Sequence, residues 1–408
     1  MAKFTFVSVP AFGHFNPTLP IIAELTRRGH DVTVINSGEF GAAVAEVGAR
    51  FLPFPVEFSS KQLAELLGNG NLGRTIVFAR EAAMVLVPWL NKELPKLAPD
   101  ALVYDAHAIF GHISGKMLRL PTCSIFPHPV IEATRQLIGW RASMASIRQN
   151  GPYLWKMLST RFAIQRTFGT ETFPTTRPRF QARGDISLML TIPQMQRENA
   201  YRDETMIYVG PSIDETVRHD AFDFSRLDGR PLVYISLGTL ATGDVDFYRT
   251  CLTALGTLPA QFILSIGKRH SADDLGAIPS NFLVEPYVPQ LEVLKRASIF
   301  VTHAGANSLH ESLWFGVPMV AIPQQIEQLM NAQVAEAHGA ATIIDSNFMG
   351  QKVTPEQLRG AVEKVMASAH MREATKPLQA ALHASGGFRQ AARELEKFVA
   401  RQQVRTAA

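Results

Sequence analysis

A histidine and an aspartate lie where two apolar runs with the composition of β-strands come to an end. His14 is in the turn after the first run, and Asp105 ends a later one. A histidine in such a turn can accept a proton near neutral pH, and a neighbouring carboxylate can fix its tautomer. No Gly-x-Ser-x-Gly elbow or clear nucleophilic cysteine accompanies the pair. The pair therefore predicts a general base acting on a bound substrate, with a helix-capping histidine as the structural alternative.

A second polar cluster follows a later predicted strand, where a turn of small residues leads into a helix. Gly305 allows close approach of the backbone, and Asn307 and Ser308 offer polar side chains near the N–H groups of the helix start. This arrangement suits a phosphate. His303 could donate to a phosphate oxygen, and Glu311 could accept hydrogen bonds from a hydroxylated ligand such as ribose. A capped helix with a satisfied core histidine is the alternative.

Two more predicted strands end in polar residues. Ser236 and Thr239 could present backbone N–H groups to the same anion, although taken alone a plain turn is the favoured explanation. Glu327 and Gln328 suit the alternating hydroxyls of a sugar, with a solvated loop as the alternative. Both pairs point to a ligand that carries phosphate and sugar groups.

A metal centre is not expected. His303, His310 and Glu311 span a strand, a turn and a helix, so their spacing does not gather ligands on one helix face as His-Glu-x-x-His does. No Walker loop occurs, and the one Gly-x-Gly-x-x-Gly pattern, Gly68–Gly73, does not follow a predicted strand, which disfavours a kinase-like or nicotinamide enzyme.

The elements that must position these residues alternate between short strands and helix-periodic segments, as in parallel sheets wound with helices. A polar, proline-containing stretch divides them into two series. We predict an α/β protein with an N-terminal domain (1–210), a linker (211–230), a C-terminal domain (231–385) and a C-terminal helix (386–408) that packs back on the N-terminal domain. The predicted strands are 4–9, 32–35, 101–104, 122–126, 186–190, 206–209, 232–235, 262–266, 282–285, 299–302, 319–322 and 342–344.

The composition is that of an ordinary globular protein. The 408 residues are 46% hydrophobic and 19% charged, which excludes disorder, collagen and coiled coil. No apolar run has the length of a membrane span and no secretory leader is recognisable, so a cytoplasmic protein is expected. Cys123 and Cys251 lie in apolar surroundings and are predicted to be buried free thiols.

The chain resembles the family 1 glycosyltransferases in an ordered series of motifs. In the second half these are Tyr287–Leu294, Thr302–Ser308, Glu311, Gly316–Met319, Pro323 and Glu327–Gln328, and in the first half the loop Ala11–Pro17. The spacing resembles that of bacterial macrolide-type and flavonoid-type members. The resemblance implies the GT-B fold, in which two Rossmann-like domains face each other across a cleft and bind the acceptor (N-terminal domain) and the sugar donor (C-terminal domain).

The resemblance also implies a role for each matching residue. His14 would be the catalytic base and Asp105 its partner. The remaining positions would bind the donor: Ser236, Thr239, His303, Gly305, Asn307 and Ser308 at the diphosphate, Gln290 and Glu311 at the ribose, Glu327 and Gln328 at the sugar, and Tyr287 and Val288 toward the nucleobase. Tyr287 replaces the tryptophan of many members, and Ala306 replaces the tryptophan of plant members.

The implied activity is that of an inverting, metal-independent glycosyltransferase. It would move a hexose, with glucose from UDP-glucose favoured over a dTDP-sugar, to a hydroxyl of a small hydrophobic acceptor such as a phenolic, a flavonoid or a macrolide. The nucleotide sugar is a co-substrate and no cofactor is expected. The alternatives are an NDP-sugar epimerase or hydrolase and a non-catalytic nucleotide-sugar-binding protein on the same fold.

The acceptor side is expected in a strongly basic segment, Arg135–Arg183. It holds nine basic residues and one acid, a formal charge of +8, while the rest of the chain sums to −4. Such local charge argues against a nucleic-acid partner. The segment predicts two helices packed on the sheet, an apolar acceptor pocket with a basic rim, or a weak contact with a membrane surface. Its apolar positions are Leu137, Trp140, Met144, Ile147, Tyr153, Leu154, Met157, Leu158 and Phe162, and His107, His112 and His128 are candidates for the same pocket.

Overall fold

Two parallel β-sheets organise the molecule in a computed structural model. The structure describes residues 1–67, 72–129, 140–173, 181–197, 203–215, 222–238, 245–267 and 269–407. The first sheet contains β1 (Lys3–Val7), β2 (Asp31–Asn36), β3 (Arg50–Pro53), β4 (Ala101–Asp105), β5 (Thr122–Phe126), β6 (Ile186–Met189) and β7 (Met206–Tyr208). The second contains β8 (Leu232–Ser236), β9 (Gln261–Ser265), β10 (Phe282–Glu285), β11 (Ile299–Thr302), β12 (Met319–Ala321) and β13 (Ala341–Ile343).

The helices connect successive strands. Those of the N-terminal half are α1 (Phe12–Phe15), α2 (Leu19–Arg27), α3 (Gly41–Glu46), α4 (Ser60–Leu67), α5 (Leu72–Leu97), α6 (Ile109–Leu118), α7 (Trp140–Asn150) and α8 (Leu154–Phe168). Those of the C-terminal half are α9 (Val245–Leu255), α10 (Gln290–Leu294), α11 (Ala306–Trp314), α12 (Ile326–Ala337), α13 (Pro355–Ala367), α14 (Ala369–Ala384) and α15 (Gly387–Ala407). The helix α2 begins at Leu19, after the one-turn helix α1.

The strand order fixes where ligands can bind. The sheets have the orders β3-β2-β1-β4-β5-β6-β7 and β10-β9-β8-β11-β12-β13, and all pairings are parallel. The order reverses between β1 and β4 in the first sheet and between β8 and β11 in the second. In open α/β sheets a crevice forms beyond the carboxyl ends of the strands at such a reversal. The loops after these four strands therefore line the expected binding cleft.

One strand was missed by the sequence prediction. The strand β3 lies at the edge of the first sheet, pairs only with β2 among the described strands and is partly exposed. Its sequence Arg-Phe-Leu-Pro holds only two apolar residues between an arginine and a proline. Proline and charged residues are tolerated on an edge strand because one side of it needs no partner.

The C-terminal helix returns to the N-terminal half. Leu395 and Phe398 of α15 are buried in the same apolar cluster as Phe4 of β1. At the crossing point the Gly387 amide donates to the Val209 carbonyl at 2.7 Å. The two chain segments that join the halves are therefore in direct contact.

That crossing depends on a glycine. Gly210 has a φ of +83°. A β-carbon at this position would lie 1.7 Å from the Ser385 hydroxyl oxygen. A larger residue at position 210 is disfavoured for two reasons: the positive φ, which L side chains rarely adopt, and the lack of space beside Ser385.

Most apolar side chains of α7 and of the first part of α8 are exposed, whereas Ile164 and Phe168 near the end of α8 are buried in the apolar cluster of the N-terminal half. Trp155 is 80% exposed and Phe162 68% exposed. The structural alternative of two sheet-packed helices is therefore wrong for these side chains. Of the apolar positions named from the sequence, Trp140, Met144, Ile147, Leu154 and Leu158 are also exposed, and Leu137 lies outside the described residues.

The remaining composition-based expectations concern the cysteines and the membrane. Cys123 and Cys251 are buried in separate apolar clusters and are not joined by a disulfide, as predicted. Within the described residues, no helix has both the length and the apolar character needed to cross a membrane.

Candidate active site

His14 and Asp105 lie side by side where the order of the first sheet reverses. His14 is in α1 after β1, and Asp105 is the last residue of the neighbouring strand β4. The His14 Nδ1 atom is 2.9 Å from Asp105 Oδ2, and the two side chains are 23% and 1% exposed. The imidazole is therefore accessible to a ligand, while the carboxylate that orients it is shielded from solvent.

The electrostatics of the pair fix its protonation. Burial alone would lower the pKa of His14, but the charge and hydrogen bond of Asp105, helped by Glu327, outweigh burial and raise it. Burial would raise the pKa of Asp105, but His14 and His107 reverse this effect and hold that pKa well below its usual range. An ionised Asp105 keeps a hydrogen on Nδ1 of His14, and in the neutral imidazole Nε2 then carries a lone pair.

Two more histidines stand beside His14, and we call the three residues His14, His107 and His128 the histidine cluster. The His107 backbone N–H donates to Asp105 Oδ1 at 2.7 Å, and its ring centroid is 4.9 Å from that of His14. The His128 ring, after β5, lies 5.7 Å from His14 and 4.7 Å from His107. Burial lowers the pKa of His107 to about 3 and also lowers that of His128. Both rings are therefore neutral near pH 7.

His303 occupies the corresponding reversal of the second sheet, between two glycine-containing turns. A β-carbon on Gly238 would lie 2.6 Å from the His303 ring, and one on Gly305 would lie 2.5 Å from it. Burial lowers the pKa of His303 to about 4, and its Nδ1 atom has no hydrogen-bond partner within the described chain. A neutral imidazole with an unsatisfied nitrogen beside the start of α11 can receive an anion.

A buried hydrogen-bonded pair lies next to this turn. Gln290, the first residue of α10, donates to Glu311 Oε2 at 2.5 Å, and its Nε2 lies 3.5 Å from Ser308 Oγ. The Tyr234 hydroxyl donates to Gln290 Oε1 at 3.4 Å. Glu311 is 5% exposed. The pair presents a carboxylate and an amide close to the anion-receiving turn.

Glu327 and Gln328 lie in the first turn of the helix α12, and their side chains make different contacts. Gln328 Oε1 accepts from the backbone N–H of Gln324 at 2.8 Å, so its oxygen caps the helix. Glu327 accepts from the Asn331 amide at 2.6 Å. Its charge helps to raise the pKa of His14. Glu327 is thus the member of the pair whose carboxylate acts electrostatically on His14.

The two halves of the site are in contact across the cleft. The Asn307 side-chain amide donates to the Gly13 carbonyl at 2.9 Å. A second contact, between Thr191 Oγ1 and His310 Nε2, measures 2.8 Å. The turn that carries His14 therefore touches the start of α11 directly.

The other sequence candidates lie at the edge of the site or outside it. Ser236 Oγ accepts from the Gly238 amide at 3.4 Å, and Thr239 falls outside the described residues. Tyr287 is 52% exposed, and Val288 is 3% exposed in an apolar cluster, so only the backbone of Val288 is available to a ligand.

His112 is also directed away from the site. Its Nδ1 atom lies 2.8 Å from the Tyr104 hydroxyl. Among the three pocket candidates, only His107 and His128 join His14.

Comparison with known proteins agrees with this arrangement. The family model of the UDP-glucoronosyl and UDP-glucosyl transferases matches residues 217–385. The chain is 28% identical to the uncharacterized UDP-glucosyltransferase YojK of Bacillus subtilis, over 96% of each chain. It is 27% identical to the oleandomycin glycosyltransferase of Streptomyces antibioticus, over 97% of this chain and 90% of that protein. The crystal structure of the glycotransferase of kitacinnamycin superposes with a TM-score of 0.80 at 28% identity, covering 97% and 98% of the chains.

The two facing parallel sheets and the cleft between them define a glycosyltransferase of the GT-B fold, so the predicted fold class is confirmed. Enzymes of this class transfer a sugar from a nucleotide-sugar donor. The match to the family model over residues 217–385 and the relatives at 27–28% identity support the family 1 glycosyltransferase that the motifs indicated.

Proposed function

We propose that this enzyme moves a hexose, with glucose from UDP-glucose as the favoured donor, to a hydroxyl of a small hydrophobic natural product, with inversion and without a metal. The observation that carries the proposal is the contact between the turn of His14 and the start of α11. It sets an oriented base opposite an anion-receiving turn. The proposal includes a role for each domain: residues 1–210 bind the acceptor and residues 231–385 bind the donor.

His14 acts as the general base. Its Nε2 lone pair accepts the hydroxyl proton of the acceptor while the oxygen attacks the anomeric carbon of the sugar. The His14 imidazolium that results is stabilised by a charge-assisted hydrogen bond to Asp105, whose side chain is 1% exposed. A single displacement from the side opposite the leaving group inverts the anomeric centre.

The leaving nucleoside diphosphate is stabilised by the C-terminal half. The nine-residue helix α11 directs its N-terminus at the diphosphate, and the neutral His303 ring donates a hydrogen bond to it. Ser236, Gly305, Asn307 and Ser308 complete this contact. These groups supply the charge stabilisation that a divalent cation supplies in other transferases.

Activity should therefore survive removal of metal ions. After exhaustive dialysis against a chelator, we expect transfer from UDP-glucose at the untreated rate, because no step of the reaction needs a cation. The control is the same dialysed enzyme with magnesium restored. Strict dependence of transfer on the restored ion would contradict the charge stabilisation by His303 and α11.

Glu311 and Gln290 bind the ribose hydroxyls, and Glu311→Gln tests this assignment. The Glu311 carboxylate can accept hydrogen bonds from two hydroxyls. In the glutamine variant, an amide oxygen turned toward the hydroxyls places the NH2 group against the Nε2 donor of Gln290, which lies 2.5 Å from the native carboxylate oxygen. Loss of a charged hydrogen bond costs about 1.5–3 kcal/mol, so we expect UDP affinity in calorimetry to fall roughly 10- to 100-fold. Glu292→Gln is the matched control, because Glu292 is a half-buried glutamate of α10 that is paired with Lys295. Equal UDP affinity in both variants would refute the role.

The acceptor is proposed to be small and hydrophobic because the N-terminal half contains a largely apolar cavity. A cavity of about 510 Å³ opens between the loop after β3, α4 and α5. Phe58 and Leu86 line it and belong to the same apolar cluster as Ala11, in the loop before His14. Its remaining lining is Val56, Glu57, Gln62, Arg74, Phe78, Glu81, Ala82 and Val85.

The similarity to an oleandomycin glycosyltransferase supports an acceptor of natural-product type. The weak membrane-surface contact of Arg135–Arg183 stays a prediction. The exposed Trp155 and Phe162 are consistent with it.

A further inference from the structure

The histidine cluster brings three imidazoles together from three adjacent loops. His14 follows β1, His107 follows β4 and His128 follows β5, and these strands are neighbours in the first sheet. One ring nitrogen from each residue can be chosen so that all three atoms lie within 4.8 Å of one another. The cluster is not a group of surface residues, because all three rings are wholly or largely shielded from solvent.

The orientation of the rings is that of metal-binding histidines. His14 Nδ1 is bonded to Asp105 at 2.9 Å, and His128 Nδ1 lies 2.9 Å from the Pro129 carbonyl, which can only accept. His107 Nδ1 lies 3.4 Å from the other oxygen of Asp105. Metal-binding histidines almost always direct one ring nitrogen to a carboxylate or backbone carbonyl, as His14 and His128 do here, which leaves the second nitrogen of these two rings for the ion.

The charge around the cluster also suits a cation. The Asp105 carboxylate contacts two of the rings. Glu327 acts electrostatically on His14 and His128 and lines a small cavity together with Pro129. Two carboxylates thus act on the three imidazoles of the cluster. A dication is the ion that this charge distribution favours.

We propose that the histidine cluster binds a divalent transition-metal ion of the Zn²⁺ type, and that the bound ion inhibits the enzyme by occupying the nitrogen with which His14 acts as a base. Imidazole nitrogens bind Zn²⁺ at about 2.0–2.1 Å, so a tetrahedral site needs them about 3.4 Å apart. The rings therefore close by about 1 Å around the ion. The fourth position is open to water.

The inhibitory part of this inference rests on the proposed function, whereas the binding part does not. Binding is therefore measured first and without substrates, by titrating the chelator-treated protein with Zn²⁺ against a chromophoric chelator. We expect one equivalent per chain. His107→Ala and His128→Ala should each weaken binding at least tenfold, because each removes one of three ligands. His112→Ala, a neighbouring histidine outside the cluster, is the matched control and should bind as the wild type does.

A spectroscopic measurement on the wild-type chain guards against variants that fail to fold. Co²⁺ should give the intense visible absorption of a four-coordinate site, and Zn²⁺ should abolish it. In the transfer assay, Zn²⁺ should inhibit, a chelator should restore the rate, and the inhibition constant should rise at least tenfold in His107→Ala and His128→Ala relative to each variant's own metal-free rate. Absence of stoichiometric binding, or equal Zn²⁺ affinity in the cluster variants and His112→Ala, would overturn the site. Tight binding without inhibition would leave the site intact and contradict His14 as the base.

Discussion

A His14→Ala variant is expected to bind the nucleotide donor normally and to lose transfer by about 10²- to 10⁴-fold. The loss follows because alanine removes the only described ring nitrogen that is both oriented by Asp105 and partly exposed, 23% for the side chain. Donor affinity should persist because the proposed donor contacts belong to the C-terminal half. Initial rates with saturating acceptor, together with calorimetry of UDP binding, measure the two effects separately.

The comparison variant for this experiment is His383→Ala. His383 contacts the Trp314 carbonyl at 2.9 Å, on the C-terminal half and outside the histidine cluster. It should retain most of the rate. If His14→Ala keeps nearly the full transfer rate, His14 is not the base. A parallel loss of UDP affinity would instead show that the substitution disturbs the donor side through the contact between Gly13 and Asn307.

An Asp105→Asn variant is expected to lose transfer by about 10³-fold or more although its shape is nearly unchanged. The two carboxylate oxygens each accept from a donor, Oδ1 from the His107 backbone N–H and Oδ2 from His14 Nδ1. An asparagine must turn its NH2 group toward one of them. If the NH2 group faces His14, the imidazole keeps its hydrogen on Nε2 and cannot accept the acceptor proton; if it faces His107, the loop is disturbed.

The rate of Asp105→Asn is to be compared with that of Asp100→Asn. Asp100 lies just before the same strand, β4, and accepts from the Lys3 backbone N–H at 2.7 Å, far from the base. This variant should be active at close to the native rate. Thermal unfolding of both proteins separates a folding defect from a chemical one. Equal activity of the two variants would show that Asp105 does not orient the base.

The sequence was sufficient for most of the fold because nearly every strand is a buried apolar run. The exception, β3, is an edge strand whose arginine and proline hide its pattern. The pairing of His14 with Asp105 could also be anticipated, because both follow strands whose carboxyl ends meet at one edge of a parallel sheet. The roles of these residues stay predictions.

The histidine cluster could not be derived in the same way. His128 reaches His14 only because β5 lies beside β4, and the order of strands is a property of the folded sheet rather than of local composition. The contact between Asn307 and Gly13 joins residues 294 positions apart and depends on how the two halves meet. The helical spacing of the apolar residues in α7 and α8 correctly indicated helices, but spacing does not tell whether a face meets the sheet or solvent.

The crossing at Gly210 and Gly387 gives the molecule the topology of an inserted module. The chain leaves the first half near Val209 and returns at Gly387, whose amide is bonded to the Val209 carbonyl. The segment between these points therefore begins and ends at the same place. Domains inserted into a loop of another domain have the same property, because their two termini must lie close together. The C-terminal half is therefore joined to the N-terminal half at one place, by two chain segments that lie side by side.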